Sequence, residues 1–134
     1  MVKTENFEKI EIASQEELRQ WLLEHHQEVA SYWLVSYKKG QGPYVSREEV
    51  LDELIAFGWI DGIRRKLDDR KTMQLISPRK SQHWAATYKE RAQRLIESGQ
   101  MHESGLQSIA HSKAVGLWNF MDDVDQLLIP KDLA

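Results

Sequence analysis

The run FGWIDGIRRKLDDRKTMQLISP, residues 57–78, decides the architecture. Its two arms, Trp59 to Lys66 and Lys71 to Ser77, are rich in β-forming residues and are joined by Leu67, Asp68, Asp69 and Arg70. Aspartates at such a junction bond the backbone of a turn, so the run reads as a hairpin. Pro78 has no amide proton to give a ladder and stops the second arm. Gly58, just ahead, terminates a preceding helix, and Ser81, just behind, is the expected N-cap of a helix running to Ser98, with Gly99 closing it in a left-handed conformation.

Upstream of the hairpin, Ser46 and Glu49 have the spacing of a capping box, and Val50, Leu51, Leu54, Ile55 and Phe57 supply the apolar face of the helix it opens. Gly40, Gly42 and Pro43 make a loop before it. Residues 31–37, SYWLVSY, read as a strand with contacts on both faces. A second capping box, Ser14 with Glu17, opens a helix whose buried stripe is Leu18, Trp21, Leu22, His25 and Val29, and Asn6 to Ile12 reads as a first strand. Downstream, Trp84, Tyr88, Ala92 and Leu95 form the inner face of the Ser81 helix. A shorter helix from about His102 to Lys113 follows, ended by Gly116, with Trp118 and Phe120 anchoring the tail. The order strand, helix, strand, helix, hairpin, helix, helix predicts an α+β fold: a small mixed or antiparallel sheet of about four strands packed against four helices. Trp21, Trp33, Leu54, Phe57, Trp59, Tyr88 and Leu95 are expected to share one core.

The chain has 134 residues, the length of one domain, with 41% hydrophobic and 29% charged residues. It contains no cysteine, which excludes disulfides, a thiolate nucleophile, iron–sulfur clusters and Cys-ligated zinc. No window approaches the roughly 18 apolar residues of a membrane span, and MVKTENFEKIEIA lacks the apolar run of a secretory signal. The expected location is cytoplasmic. Neither GxGxxG nor GxxxxGK[ST] is present, which argues against a doubly wound nucleotide fold.

Net charge is -3, unevenly spread. Residues 59–100 carry ten basic and five acidic side chains, whereas residues 1–58 carry six and eleven. Within the basic window, Ser77, Arg79, Lys80 and Ser81 stand at the expected mouth of a helix. If Ser81 caps it, the amides of Gln82, His83 and Trp84 and the positive end of the helix dipole face the same space as Arg79 and Lys80. Arg64 could add a planar fork suited to phosphate or carboxylate. The competing reading is that Arg79 ties to Asp61 or Asp69 and holds the hairpin to the helix. Asp61 itself reads either as a general base or as part of a bulge or structural pair. The candidate ligand set is thus Asp61, Arg64, Ser77, Arg79, Lys80 and Ser81.

Asp68 and Asp69 are too few oxygens for calcium and read as turn residues. His25, His26, His83, His102 and His111 form no HExxH, no GxSxG elbow marks a nucleophile, and neither metal nor cofactor is expected. The expected partners are an anionic small molecule, a lipid head group or an acidic protein. A sequence pI near 6.0 argues against nucleic acid.

The segments FGWIDGIRRKLDDR (57–70), ISPRKSQHWA (76–85) and ERAQRLIESGQM (90–101), with Ser104 to Trp118 and the closing IPKDLA, resemble the YdeI/OmpD-associated family, also called bacteriocin-protection proteins. The resemblance implies a single domain over residues 1–134, without the basic C-terminal helical region of longer relatives, and a link to tolerance of bacteriocins or antimicrobial peptides. It assigns no catalytic residue. Two functions follow as expectations: a non-catalytic binding protein using a basic face on an anionic ligand, or an enzyme on an anionic substrate with Asp61 as acid/base in a pocket between the sheet and the third helix.

Overall fold

A computed structural model of the chain describes residues 7–119. Its elements are β1 (Lys9–Glu11), α1 (Gln15–His25), β2 (Tyr32–Tyr37), α2 (Arg47–Ala56), β3 (Trp59–Lys66), β4 (Lys71–Pro78), α3 (Ala86–Ser98) and α4 (Glu103–Ala114). The strands are ordered β1-β2-β4-β3, with β1 parallel to β2 and β4 antiparallel to both its neighbours. The hairpin thus folds back so that β4 inserts between β2 and β3. The three other strands then point one way, which requires helical crossovers, and α1 and α2 are those crossovers. This is a small α+β fold with a mixed four-stranded sheet.

Local chemistry explains most boundaries. The Ser46 box is complete: Ser46 Oγ accepts from the Glu49 amide at 3.1 Å, and the Glu49 carboxylate accepts from the Ser46 amide at 2.9 Å. At α1, Ser14 Oγ accepts from the Glu17 amide, but the Glu17 carboxylate takes the Ala13 amide instead of the cap's own. Helix α1 ends at His25, so Val29 lies in the following connection, 79% exposed, and is no part of the buried stripe. In the hairpin turn, Asp68 Oδ1 accepts the amides of Arg70 and Lys71, both at 2.8 Å. Those bonds hold its carboxyl below the usual range, the Arg70 amide foremost.

Gly99 adopts φ +79° at the end of α3, as the sequence reading expects. The start of α3 does not follow expectation. The helix begins at Ala86, with Ala85 as a cap that makes no side-chain bond, and Ser81 stands outside it. Asn6, Phe120 and the closing stretch 129–134 lie outside the described residues.

The helices cover one face of the sheet. Leu34 and Ile76 from the strands meet Leu18, Leu22, Leu54, Ile55, Phe57, Trp59, Trp84, Ala92, Leu95 and Ile109 in one buried cluster, with Trp21 and Tyr88 packed at its margin. Trp33 is buried but belongs to the opposite face, because side chains alternate along β2. There the Arg65 guanidinium lies 5.4 Å from its ring centroid.

Helix α2 is the most enclosed, with Val50, Leu51, Glu53, Leu54, Ile55 and Ala56 all buried. Its one buried carboxylate, Glu53, is satisfied by Arg19 at 2.9 Å and Gln15 at 2.7 Å.

Helix α4 crosses α2 closely at Gly105. A Cβ there would stand 2.3 Å from the Ala56 carbonyl oxygen and 2.6 Å from Met101 Sδ. Alanine would gain about 1 kcal/mol of helix propensity, yet overpacking costs about 1–3 kcal/mol. Gly105→Ala should therefore lower the urea midpoint of unfolding. A stabilised variant would show that the two helices do not pack this tightly.

Candidate functional site

The structure does not bring the six expected ligand residues together. Arg79 leaves β4 and turns inward, its guanidinium carbon 3.8 Å from the Trp84 ring centroid and 6.0 Å from that of Tyr88. Its Nη1 donates to the carbonyls of Gln82 at 3.4 Å and His83 at 3.5 Å. Residues 80–85 thus pass around a buried cation and cannot begin the helix at Ser81. They turn carbonyl oxygens toward Arg79, the opposite polarity to a helix N-terminus holding an anion.

The expected tie to an aspartate is absent too. Asp69 pairs with Lys66 at 3.2 Å, and Asp61 Oδ1 accepts the Tyr88 hydroxyl at 2.7 Å. Burial pushes Arg79 down to about 10, opposed by the charges of Tyr88 and Asp61. Arginine stays charged at neutral pH in such a setting, and the aromatic faces stand where an anion would otherwise be required.

The remaining candidates divide. Ser77 Oγ shares a 2.7 Å hydrogen bond with Ser31 Oγ, and the Lys80 amide donates to the Gln82 side chain at 2.6 Å. Arg79 and Lys80 line an open cleft of about 500 Å³ with His26, His111, Ser104 and Ser108. Asp61 lines neither this cleft nor the one described next.

Cations do converge around Arg64. A cleft of about 250 Å³ is lined by Ser36, Tyr37, Lys38, Lys39, Tyr44, Val45, Arg47, Arg64 and Thr72. Four of the nine are cationic and none is acidic. Among the described residues, none of Lys38, Lys39, Arg47 and Arg64 lies in an ion pair with a carboxylate.

Three elements deliver these groups. Strand β3 carries Arg64, and a β-bulge between Asp61 and Arg64 shifts its register against β4. Asp61 stands opposite Ile76, so an unbroken ladder would place Ile63 opposite Gln74 and turn Arg64 to the far face of the sheet. With the extra residue, Arg64 itself stands opposite Gln74. There Nη2 donates to Gln74 Oε1 at 2.8 Å and Nη1 to Thr72 Oγ1 at 3.1 Å.

Helix α2 presents Arg47 as its first residue, just after the Ser46 cap. The third element is the loop after β2. The Lys38 amide donates to the Arg70 carbonyl at 2.8 Å, and Arg70 Nη2 donates to the Gln41 carbonyl at 3.0 Å. The loop then lies flat on Tyr37, where a Cβ on Gly42 would come within 2.8 Å of the ring. Tyr44, 48% exposed, stands at the rim.

Of the expected site residues, Arg64 alone belongs here. Lys38, Lys39 and Arg47 escape a charge count taken along the chain because they sit in its acidic first part. The signal that could have found them is the KKGQGPYVSR run at 38–47, a basic pair and an arginine spaced by a tight loop.

Residues 10–108 match a family described as a domain of unknown function, DUF8412. The chain belongs to that family. No curated protein and no solved structure matches it. Among the described residues, no three or more His, Asp or Glu side chains are grouped so as to hold a metal ion, and no helix is long and apolar enough to cross a membrane.

The Tyr88–Asp61 bond makes stability pH-dependent. Burial, then the bond to Asp61, pushes the Tyr88 phenol up to about 12. A phenol in the unfolded chain ionises near 10. The folded state therefore holds this proton more tightly, and the stabilisation is present below about pH 10 and lost as pH rises toward 12. Tyr32, raised to about 12 chiefly by its hydrogen bond to Glu28, contributes in the same direction. Urea unfolding from pH 8 to 11.5 should show stability falling above about pH 10, with a shallower fall in Tyr88→Phe. An equal slope in that variant would separate the Asp61 contact from the alkaline response.

Proposed function

We propose that this chain is a non-catalytic cytoplasmic binding protein that holds an anionic ligand in the Lys38, Lys39, Arg47 and Arg64 cleft. Through that ligand it serves in tolerance of bacteriocins or antimicrobial peptides, the role that resemblance to the YdeI/OmpD-associated family implies. The observation that carries the binding reading is a lining of four cations and no carboxylate. Some cations elsewhere on the surface have acidic partners, as Arg91 has Asp52 at 2.7 Å and Lys71 has Glu11 at 2.9 Å. Here Arg64 is oriented by the neutral Thr72 and Gln74 side chains, and its charge is left for something else to meet. Arg64 suits an oxyanion because its fork presents parallel N–H groups, and two of its nitrogens are already fixed by Thr72 and Gln74.

An acid/base role for Asp61 gains no support from the geometry, since the Tyr88 hydroxyl already occupies its Oδ1. The Arg79 face gains none either, since that guanidinium is packed on Trp84.

Charge reversal tests the reading. Lys39→Glu and Arg47→Glu alter exposed residues whose side chains tie no buried group, and such changes usually shift stability by about 0.5 kcal/mol or less. Each variant should keep its melting temperature near that of the parent while retention on a phosphate-bearing resin falls at least about tenfold, the equivalent of 1.4 kcal/mol. Survival of cells challenged with a cationic peptide should fall in parallel. Full retention by both folded variants would remove this cleft as the binding site. Arg79→Glu supplies the contrast, because there the melting temperature should drop.

A further inference from the structure

Resting on the anion-binding reading, we infer that the cleft takes a small soluble phosphomonoester in its dianionic form, with the group it esterifies leaving over Tyr44. Three observations select this class. First, the donors approach from separate elements: Lys38 and Lys39 from the loop after β2, Arg47 from the head of α2, Arg64 from β3. A planar carboxylate is satisfied by one guanidinium fork, whereas a tetrahedral group offers three terminal oxygens in different directions.

Second, four cations exceed what a single negative charge neutralises, and the hydroxyls of Ser36 and Thr72 in the same lining can donate as well. Thr72 Oγ1 accepts from Arg64, which leaves its own proton free to give. Third, about 250 Å³ is below the usual 300–1,000 Å³ of sites that enclose a drug-sized molecule. The cleft has room for the charged end of a ligand, and the rest must emerge at the rim, where the half-exposed Tyr44 ring offers a flat apolar face.

The class carries its own pH signature. The second ionisation of a phosphomonoester lies near 6, and the lining contains no histidine and no carboxylate. The charged and titratable groups around the cleft are Asp68, which acts on Lys38 and whose carboxyl is held low, Arg70 and Lys71, which lie over the Tyr37 ring, Lys71 paired with Glu11, Glu48, next to Arg47 in the chain, and Tyr88, which feels Arg47 and keeps its proton to about 12. Affinity for a phosphomonoester should therefore rise between about pH 5 and 7.5 with the ligand's own ionisation, while affinity for an anion without that step stays level.

Calorimetric titration of the full chain with phenyl phosphate, inorganic phosphate, dimethyl phosphate and benzoate tests this. Phenyl phosphate should bind best and inorganic phosphate roughly three- to tenfold more weakly, with the two monoanions at least about tenfold weaker again. Tyr44→Ala should erase the advantage of phenyl over inorganic phosphate. Thr72→Val should weaken both phosphates without loss of melting temperature.

Comparable affinity for benzoate, dimethyl phosphate and phosphate would overturn the phosphomonoester assignment while leaving anion binding intact. Binding of none of the four would overturn the anion-binding reading as well. Retention on phosphatidic acid vesicles without binding of phenyl phosphate would overturn the assignment to a small soluble ligand in favour of a lipid surface.

Discussion

Strand β4 has a neighbour on each side and must keep register with both. Thr72 stands between Ser36 and Lys66, and Gln74 between Leu34 and Arg64. Gln74 is buried and cannot be left without partners, since an unsatisfied buried amide costs about 1–3 kcal/mol. Its oxygen accepts from Arg64 at 2.8 Å and its nitrogen donates to the Gly62 carbonyl at 3.4 Å. Both partners come from the bulged stretch of β3. A one-residue slip in that stretch would send Arg64 to the Trp33 face and Arg65 to the helix face. The bulge, the buried Gln74 and the orientation of Arg64 are thus one constraint, and the cleft depends on it.

The same fold holds cations in two quite different ways. Arg79 is taken out of water and its charge is spread against aromatic faces, with carbonyl oxygens at the limit of hydrogen-bond length. Its work is to fix the crossing from β4 to α3, where no side chain caps the helix. Arg64 stays exposed, with two bonds to neutral side chains, and its charge remains available. The difference follows from where each strand residue points as the chain leaves the sheet, which no local count of basic residues records.

Elements governed by neighbouring residues were legible in the sequence. The Ser46 box, the Asp68 turn and the left-handed Gly99 each depend on contacts within four residues, so composition and spacing sufficed. Ser81 had the right chemistry for a cap and lost to the insertion of Trp84 into the core with Arg79 packed on it, which cap spacing does not record. Trp33 had the right hydrophobicity and the wrong face, because β2 is buried on both sides and burial alone does not say against what. The cleft was least legible. Its residues come from positions 36–47, 64 and 72, and only the insertion of β4 between β2 and β3 makes them neighbours.

That convergence has an energetic consequence. Two like charges a few ångströms apart repel by about 1 kcal/mol even in bulk water, and more where protein displaces solvent. At physiological salt the screening length is about 8 Å, so side chains lining one small cleft are not insulated from each other. Elsewhere on this surface a carboxylate can relieve a cation, as Asp52 relieves Arg91 and Glu11 relieves Lys71. The fold instead spends a bulge and a buried amide on holding Arg64 beside three other cations. Such an arrangement lowers stability in the empty protein, and an anion placed there would relieve it, so that the free energy lost to repulsion would return as affinity.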